Sequence, residues 1–433
     1  MPRISKATEY NWKKLNSDSK EKLTKRANKT QSKKRIIATN YLDDSKANTL
    51  LKNVLQVDSS VENIMYTLAC SALSKKELLQ KQHVQLFLQK YSHLEQVSID
   101  IPEDTWDSEN DVLGFVYQSL ITEGERNITG QYYTCKSVVE YIVGDKVLSD
   151  DETFLDPCCG SGAFLMAVRT NNPGNLYGFD INPIAVMIAS VNLLIRHKDK
   201  EFCPHIYCLD FLSKDLFTSD CRNELPFKFD NIYTNPPWGS DKDGLYTKNY
   251  PLIMSKERAS MVIYESLARL TNAGTLYFLL PTSLLKIKAH NDIRKLILTD
   301  TTIQQIDLYN NRFDGVFTDY FSIKINPAKT TTQTYVVTSD SGNANITLSA
   351  ADRTSGNIAL ETFNSLDNSI IEKMESSCHD RLSHSLWALG IVTGDNKNKV
   401  KKEKAEGLEP VYAGKQVDPF KLQDESSYIL FDP

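Results

Sequence analysis

The chain has 433 residues, 41% hydrophobic and 24% charged, with a formal net charge of −5. That length is enough for two or three domains, and the balance is that of a globular protein rather than a disordered or fibrous one. No stretch approaches the roughly 18 apolar residues of a membrane span, and the N-terminus lacks the apolar core of a secretory signal, so a cytoplasmic protein is expected.

Residues 1–36 are rich in Lys and Arg, among them Lys13, Lys14, Lys25, Arg26, Lys33, Lys34 and Arg35. They read either as a phosphate-binding arm or as a solvated flexible tail. A helical domain is expected over 37–127. Leu50, Leu51, Val54 and Leu55 recur at helical spacing, as do Ile64, Leu68, Leu73 and Leu78, then Leu86, Phe87 and Tyr91. Nothing there resembles the strands and spaced acids of an attached nuclease.

From about Gly130 strands and helices alternate. Expected strands are Thr153–Leu155, Leu176–Asp180, His205–Leu209, Asp230–Thr234, Thr275–Leu280, Ile303–Leu308 and Tyr320–Ile325, with helices such as Pro183–Arg196 and Ala259–Thr271 between the earlier ones. Such alternation implies an α/β fold, a seven-stranded Rossmann-like sheet. The link from Tyr309 to Asp319 is too short for a crossover helix, so the last strand should be antiparallel. This domain is placed at 128–350. Thr334–Ser339 and Asn345–Ser349 look like a small hairpin, and 351–433 like a linker followed from Ser383 by the start of a further domain. The eight cysteines suit a reducing compartment. His197, Cys203, His205 and Cys208 match no zinc-finger spacing, and no metal is expected.

The chemistry concentrates at strand ends. Phe154-Leu155-Asp156-Pro157-Cys158-Cys159-Gly160-Ser161-Gly162 is a short apolar strand, an acid and a glycine turn opening a helix. Glycine lets backbone N–H groups approach a ligand closely. Asp180, before Ile181, ends the next strand about 20 residues later, where an acid accepts from ribose hydroxyls. Asp210 ends the third, placed to accept from an adenine amino group, with Phe211 offering an apolar face. Any one Asp suits a helix cap; three in succession describe a nucleoside-bearing cofactor. The fourth strand ends in Asn235-Pro236-Pro237-Trp238. The Asn235 amide oxygen and Pro236 carbonyl make two acceptors for the two N–H groups of an amino nitrogen, on which positive charge grows as a methyl group arrives. Trp238 is available to stack on a base.

In order and spacing, these motifs resemble the gamma-class N6-adenine DNA methyltransferases of restriction-modification systems. The resemblance covers about half the chain. It implies S-adenosylmethionine as cofactor, double-stranded DNA as partner and a flipped adenine as target. It also makes Gly130-Gln131-Tyr132-Tyr133-Thr134 the segment that closes over the methionine end, with Tyr133 and Thr134 as contacts. Asp156, Pro157, Gly160 and Gly162 become cofactor-loop residues, with Asp180, Ile181, Asp210 and Phe211 beside them. Phe317, in Phe313-Asp314-Gly315-Val316-Phe317, becomes the second aromatic on the target base. The fourth position of the catalytic motif is usually Tyr or Phe, and Trp238 departs from that. Gly390–Lys397, Pro410–Lys415 and Tyr428–Phe431 resemble the start of a target-recognition domain. With about 50 residues after Ser383, a specificity subunit is the expected partner. Transfer to RNA, to a protein glutamine or to cytosine N4 poses similar chemistry, and a catalytically idle assembly subunit is the reading from another class.

Overall fold

The computed structural model describes residues 35, 37, 44–108, 110–122, 124–125, 134–144, 146–213, 225–309, 319–328, 333–339, 342–348, 350–358 and 360. Beyond these it describes 370, 373–374, 376–377, 399–418, 421–424 and 427–430. The chain divides into two compact units, Met1–Thr362 and Phe363–Pro433. Of the expected basic arm only Arg35 is described, in an isolated bridge with Thr122.

The first unit opens with helices α1 (Ser45–Val54), α2 (Val61–Lys75), α3 (Gln82–Gln89) and α4 (Val112–Leu120). Asp44 caps α1 and Ser60 caps α2 by accepting from backbone N–H groups two and three residues on. Leu50, Leu51, Val54, Ile64, Leu68, Leu73 and Phe87 are buried as their spacing predicts. Leu55 and Leu86 point outward instead. Each adjoins a residue that already faces the core, and a step of one residue turns about 100° around a helix.

After α5 (Lys136–Val143) come β1 (Phe154–Asp156), α6 (Ala163–Ala167), β2 (Leu176–Asp180), α7 (Pro183–Arg196), β3 (His205–Cys208) and β4 (Phe229–Thr234). Then follow α8 (Arg258–Ala268), β5 (Leu270–Pro281), α9 (Ser283–Lys286), α10 (Asn291–Asp300), β6 (Thr302–Tyr309) and β7 (Tyr320–Asn326). The helix expected to reach Thr271 ends at Ala268, because buried Leu270 already pairs with Phe229 as strand.

The sheet has nine strands rather than seven, in the order β3-β2-β1-β4-β5-β7-β6-β8-β9. As expected, the first five are mutually parallel and β7 is antiparallel, wedged between β5 and β6. The two additional strands are the small hairpin, β8 (Thr334–Ser339) and β9 (Gly342–Thr347), which docks on β6. It buries Tyr335, Val337 and Ile346 and covers an edge that would otherwise be open to pairing.

Alternate strand residues feed opposite faces. Phe154, Leu176 and Tyr233 join a cluster with α5, α6 and α7, while Leu155, Phe179 and Ile232 join one with α8 and α10. Helix α7 is apolar over most of its circumference because it is buried twice. Val186, Ala189 and Leu193 face the sheet side, and Met187, Ile188, Val191 and Leu194 pack with the N-terminal helices. Among the described residues, no helix is long and apolar enough to cross a membrane.

The second unit contains a three-stranded antiparallel sheet, β10 (Val400–Lys401), β14 (Tyr428–Ile429) and β11 (Glu409–Pro410), and a two-stranded ribbon, β12 (Val417–Asp418) with β13 (Lys421–Leu422). Tyr428 and Ile429 are buried in it.

Candidate active site

Strand order reverses at β1: its neighbours are β2 on one side and β4 on the other, so the loops leaving β1 and β4 diverge and open a crevice at the carboxyl edge. A cleft of about 1000 Å³, its open mouth included, lies there. Its lining brings together Thr134, Asp156, Pro157, Gly160, Asp180, Ile181, Asp210, Phe211, Asn235 and Pro237. Gly162, Pro236 and Trp238 are not part of that lining. Gly162 has φ +89° and caps α6, and a side chain on it would press on Ala189 of α7 at 3.2 Å. Pro236 is buried, and Trp238 is half-buried against the apolar clusters of the sheet. Tyr133 and Phe317 lie outside the described residues.

The three acids are held differently. Asp156 is buried; its Oδ1 accepts from the Thr234 hydroxyl at 2.6 Å and from Cys158 N at 3.1 Å. Burial pushes its carboxyl up to about 7, against the pull of those two donors, and the charge of Asp180 adds to the rise. Asp180 accepts from Gly160 N on one oxygen, 2.9 Å, and from Asn182 N on the other, 2.8 Å, so it braces the glycine turn. Burial raises its carboxyl as well. Asp210 accepts from Leu212 N at 2.9 Å and from the Tyr246 hydroxyl at 2.7 Å. Phe211 is buried and stacks on Phe179, ring centres 6.0 Å apart.

Asn235 follows β4, on the other side of β1 from β2 and β3. Its amide nitrogen donates to Thr134 Oγ1 at 3.1 Å, which directs the amide oxygen away from Thr134. The turn after it is closed from behind. Gly239 N donates to Glu257 Oε1 at 2.6 Å, and Ser240 bridges Glu257. Three backbone N–H groups and the Thr247 hydroxyl surround the Asp241 carboxylate. Burial alone would raise that carboxyl, but the donors outweigh it and hold it below the usual range.

Sequence reasoning missed Tyr246 and Arg258, which also line the cleft. Arg258 donates to the Trp238 carbonyl at 3.3 Å. Neither residue sits in a local pattern that announces a site. His197 and His205 lie against aromatic rings, Phe202 and Tyr177. Among the described residues no group of His, Cys, Asp or Glu is placed to hold a metal ion.

Among the described residues of the lining, three carboxylates against a single arginine suit a ligand that is cationic and rich in donors, and Ile181, Leu209, Phe211 and Val262 offer it apolar faces. The sequence profile of the family described as N-6 DNA Methylase matches residues 108–337, more than half of the chain. The chain belongs to the N-6 DNA methylase family. It is an adenine-specific DNA methyltransferase of the restriction-modification type and uses S-adenosylmethionine. Membership selects adenine N6 in DNA among acceptors that share the amino-group chemistry.

The type II methyltransferase M.VspI of Vibrio sp. (strain 343) is 31% identical over 323 residues, covering 70% of this chain and 74% of that one. The EcoEI methylase subunit, of a type I restriction enzyme from Escherichia coli, is 24% identical over 235 residues, covering 50% and 46%. Among solved structures, the DrdV–DNA complex matches in fold with a TM-score of 0.53 at 12% identity, over 85% of this chain and 49% of that one. The methylase chain therefore spans about half the length of the E. coli subunit and of DrdV.

The raised Asp156 has a sign that calorimetry detects. Below pH 7 the carboxyl keeps its proton, and a cationic ligand favours the ionised form. Binding then expels the proton, so affinity should rise with pH, by at most about tenfold per unit, and level off above about pH 7. Titrations with S-adenosylmethionine in buffers of different ionisation heat count the protons released. A flat dissociation constant with no release takes Asp156 out of the binding site.

Proposed function

We propose that this methylase carries out its reaction in the cleft between β1 and β4, with Asn235 to Trp238 as the catalytic turn and the strand-end acids as the cofactor edge. The observation that carries this is that one cleft holds both Asn235 and the three acids Asp156, Asp180 and Asp210. S-adenosylmethionine, when bound, supplies an electrophilic methyl group. Asp180 accepts hydrogen bonds from the ribose hydroxyls, Asp210 from the adenine amino group, and Pro157, Gly160, Ile181 and Phe211 shape the pocket around them. Tyr133 and Thr134 close over the methionine end.

At the end of β4 the Asn235 amide oxygen and the Pro236 carbonyl accept from the target amino group. Their dipoles oppose the positive charge that grows on its nitrogen, worth on the order of 3 kcal/mol each by analogy with an oxyanion donor. Thr134 keeps the amide from turning its nitrogen toward the base. Trp238 and Phe317 hold the base that has left the stack. Transfer of labelled methyl from S-adenosylmethionine to duplex DNA, with the modified adenines mapped at base resolution, tests this reading. Label in RNA or protein alone would overturn it.

Sequence choice is proposed to need a specificity subunit, with residues 351–433 as linker and recognition or docking segment. Two observations support this: relatives include a subunit of a type I enzyme, and the net charge of −5 suits phosphate binding poorly. The isolated chain should bind S-adenosylmethionine, hold DNA weakly with steep salt dependence, and methylate slowly. Efficient site-specific methylation by the isolated chain removes the need for a partner.

A further inference from the structure

We infer that Asp111 and Asn192 form a positioning relay by which the N-terminal helices hold the glycine turn of the cofactor loop in its binding shape. The inference rests on the reading of Asp156–Gly162 as that loop.

The turn needs an external anchor. Gly160 and Gly162 both adopt positive φ, +52° and +89°, on either side of Ser161. Glycine reaches such angles easily and leaves them as easily, so the turn is not kept in place by its own backbone preferences. Asp180 holds one end through Gly160 N. The middle is held from outside the sheet. The side-chain amide of Asn192, on α7, donates one N–H to the Ser161 carbonyl at 3.0 Å and the other to Asp111 Oδ1 at 2.8 Å.

Asp111 lies just before α4, and the same Oδ1 accepts from Gly114 N at 2.7 Å. Its carboxylate is thus fixed by the helix it caps. The fit is tight: a Cβ at Gly114 would lie inside the carboxylate, 2.7 Å from its Cγ. Asp111, Asn192 and Ser161 are all buried, so water does not compete for these bonds. A second strut runs in parallel. Asn182 donates to the Tyr117 hydroxyl of α4 at 2.6 Å, and Asn182 N is one of the donors that orient Asp180. One helix thereby braces both the glycine turn and the loop after β2. None of Asp111, Tyr117 and Asn192 is among the residues lining the cleft, so they act through the loops and not on the ligand.

The test is calorimetric titration of the full chain with S-adenosylmethionine, because stoichiometry reports the folded fraction and the dissociation constant reports the site. Asp111→Ala should weaken binding about tenfold at unchanged stoichiometry. Asp111→Asn keeps an oxygen able to accept from both Gly114 and Asn192, and should stay within about twofold of wild type. Asn192→Ala suits a helix, so it should fold, and it should weaken binding as Asp111→Ala does. The double variant should be little worse than either single one, since both break one chain of bonds. In cofactor-free protein the amides of Gly160 and Gly162 should exchange faster in Asp111→Ala, with those of β1 unchanged. A wild-type dissociation constant in Asp111→Ala with only stoichiometry reduced overturns the relay, as do losses that multiply in the double variant. No binding by the wild-type chain overturns the cofactor reading itself, and the relay with it.

Discussion

Replacing Asn235 with Ala should lower methyl transfer by about a hundredfold or more while S-adenosylmethionine affinity stays within a few fold. The expected loss is large because an amino nitrogen on an aromatic ring is a poor nucleophile whose charge grows only as the methyl group arrives. A fixed acceptor at that nitrogen works in the transition state far more than in the ground state. Affinity is spared because Asn235 follows β4, whereas Asp180 and Asp210 stand at the ends of β2 and β3 on the other side of β1. Thr134→Val should cost less than Asn235→Ala, since it removes only the hydroxyl acceptor that orients the amide at 3.1 Å. Single-turnover transfer of labelled methyl to duplex DNA measures both. Near-normal turnover in Asn235→Ala would falsify the catalytic assignment.

Asp180→Ala should weaken S-adenosylmethionine about a hundredfold. Unpairing the ribose hydroxyls costs roughly 1–3 kcal/mol. The side chain also accepts from Gly160 N and Asn182 N, at 2.9 and 2.8 Å. Its removal therefore slackens the glycine turn as well as emptying the ribose position, and a combined loss of about 2.7 kcal/mol is a factor of about a hundred. Asp180→Asn keeps one acceptor oxygen and should fall between. Calorimetry gives the dissociation constants, and thermal melting shows whether the fold survives. Unchanged affinity in a folded Asp180→Ala protein would place the ribose elsewhere.

These two effects were unequally legible. Asn235 was legible only in its setting: two prolines after a short apolar strand suit a packed loop equally well, and the three acid-ended strands before them are what mark the turn as an acceptor site. Asp180 was legible as an acid at a strand end, but its hold on Gly160, 20 residues earlier, was not. Tyr246 and Arg258 were invisible. An isolated tyrosine or arginine in a polar stretch carries no periodicity, and the bonds from Tyr246 to Asp210 and from Arg258 to Trp238 exist only once β3, β4 and α8 are packed.

The sequence by itself determined the strands, the helices between them and the residues at the strand ends. These follow from interactions within a few residues: apolar runs, glycine and proline punctuation, side chains that cap. It also determined that β7 runs antiparallel, because the link before it is too short to cross over. Only the tertiary structure decided that the hairpin β8–β9 extends the sheet to nine strands, that α7 is buried on two sides, and that Asp111 reaches the glycine turn through Asn192. Each of these joins surfaces far apart along the chain. Their pairing depends on which layers stack and which edges remain open, and no local pattern encodes that.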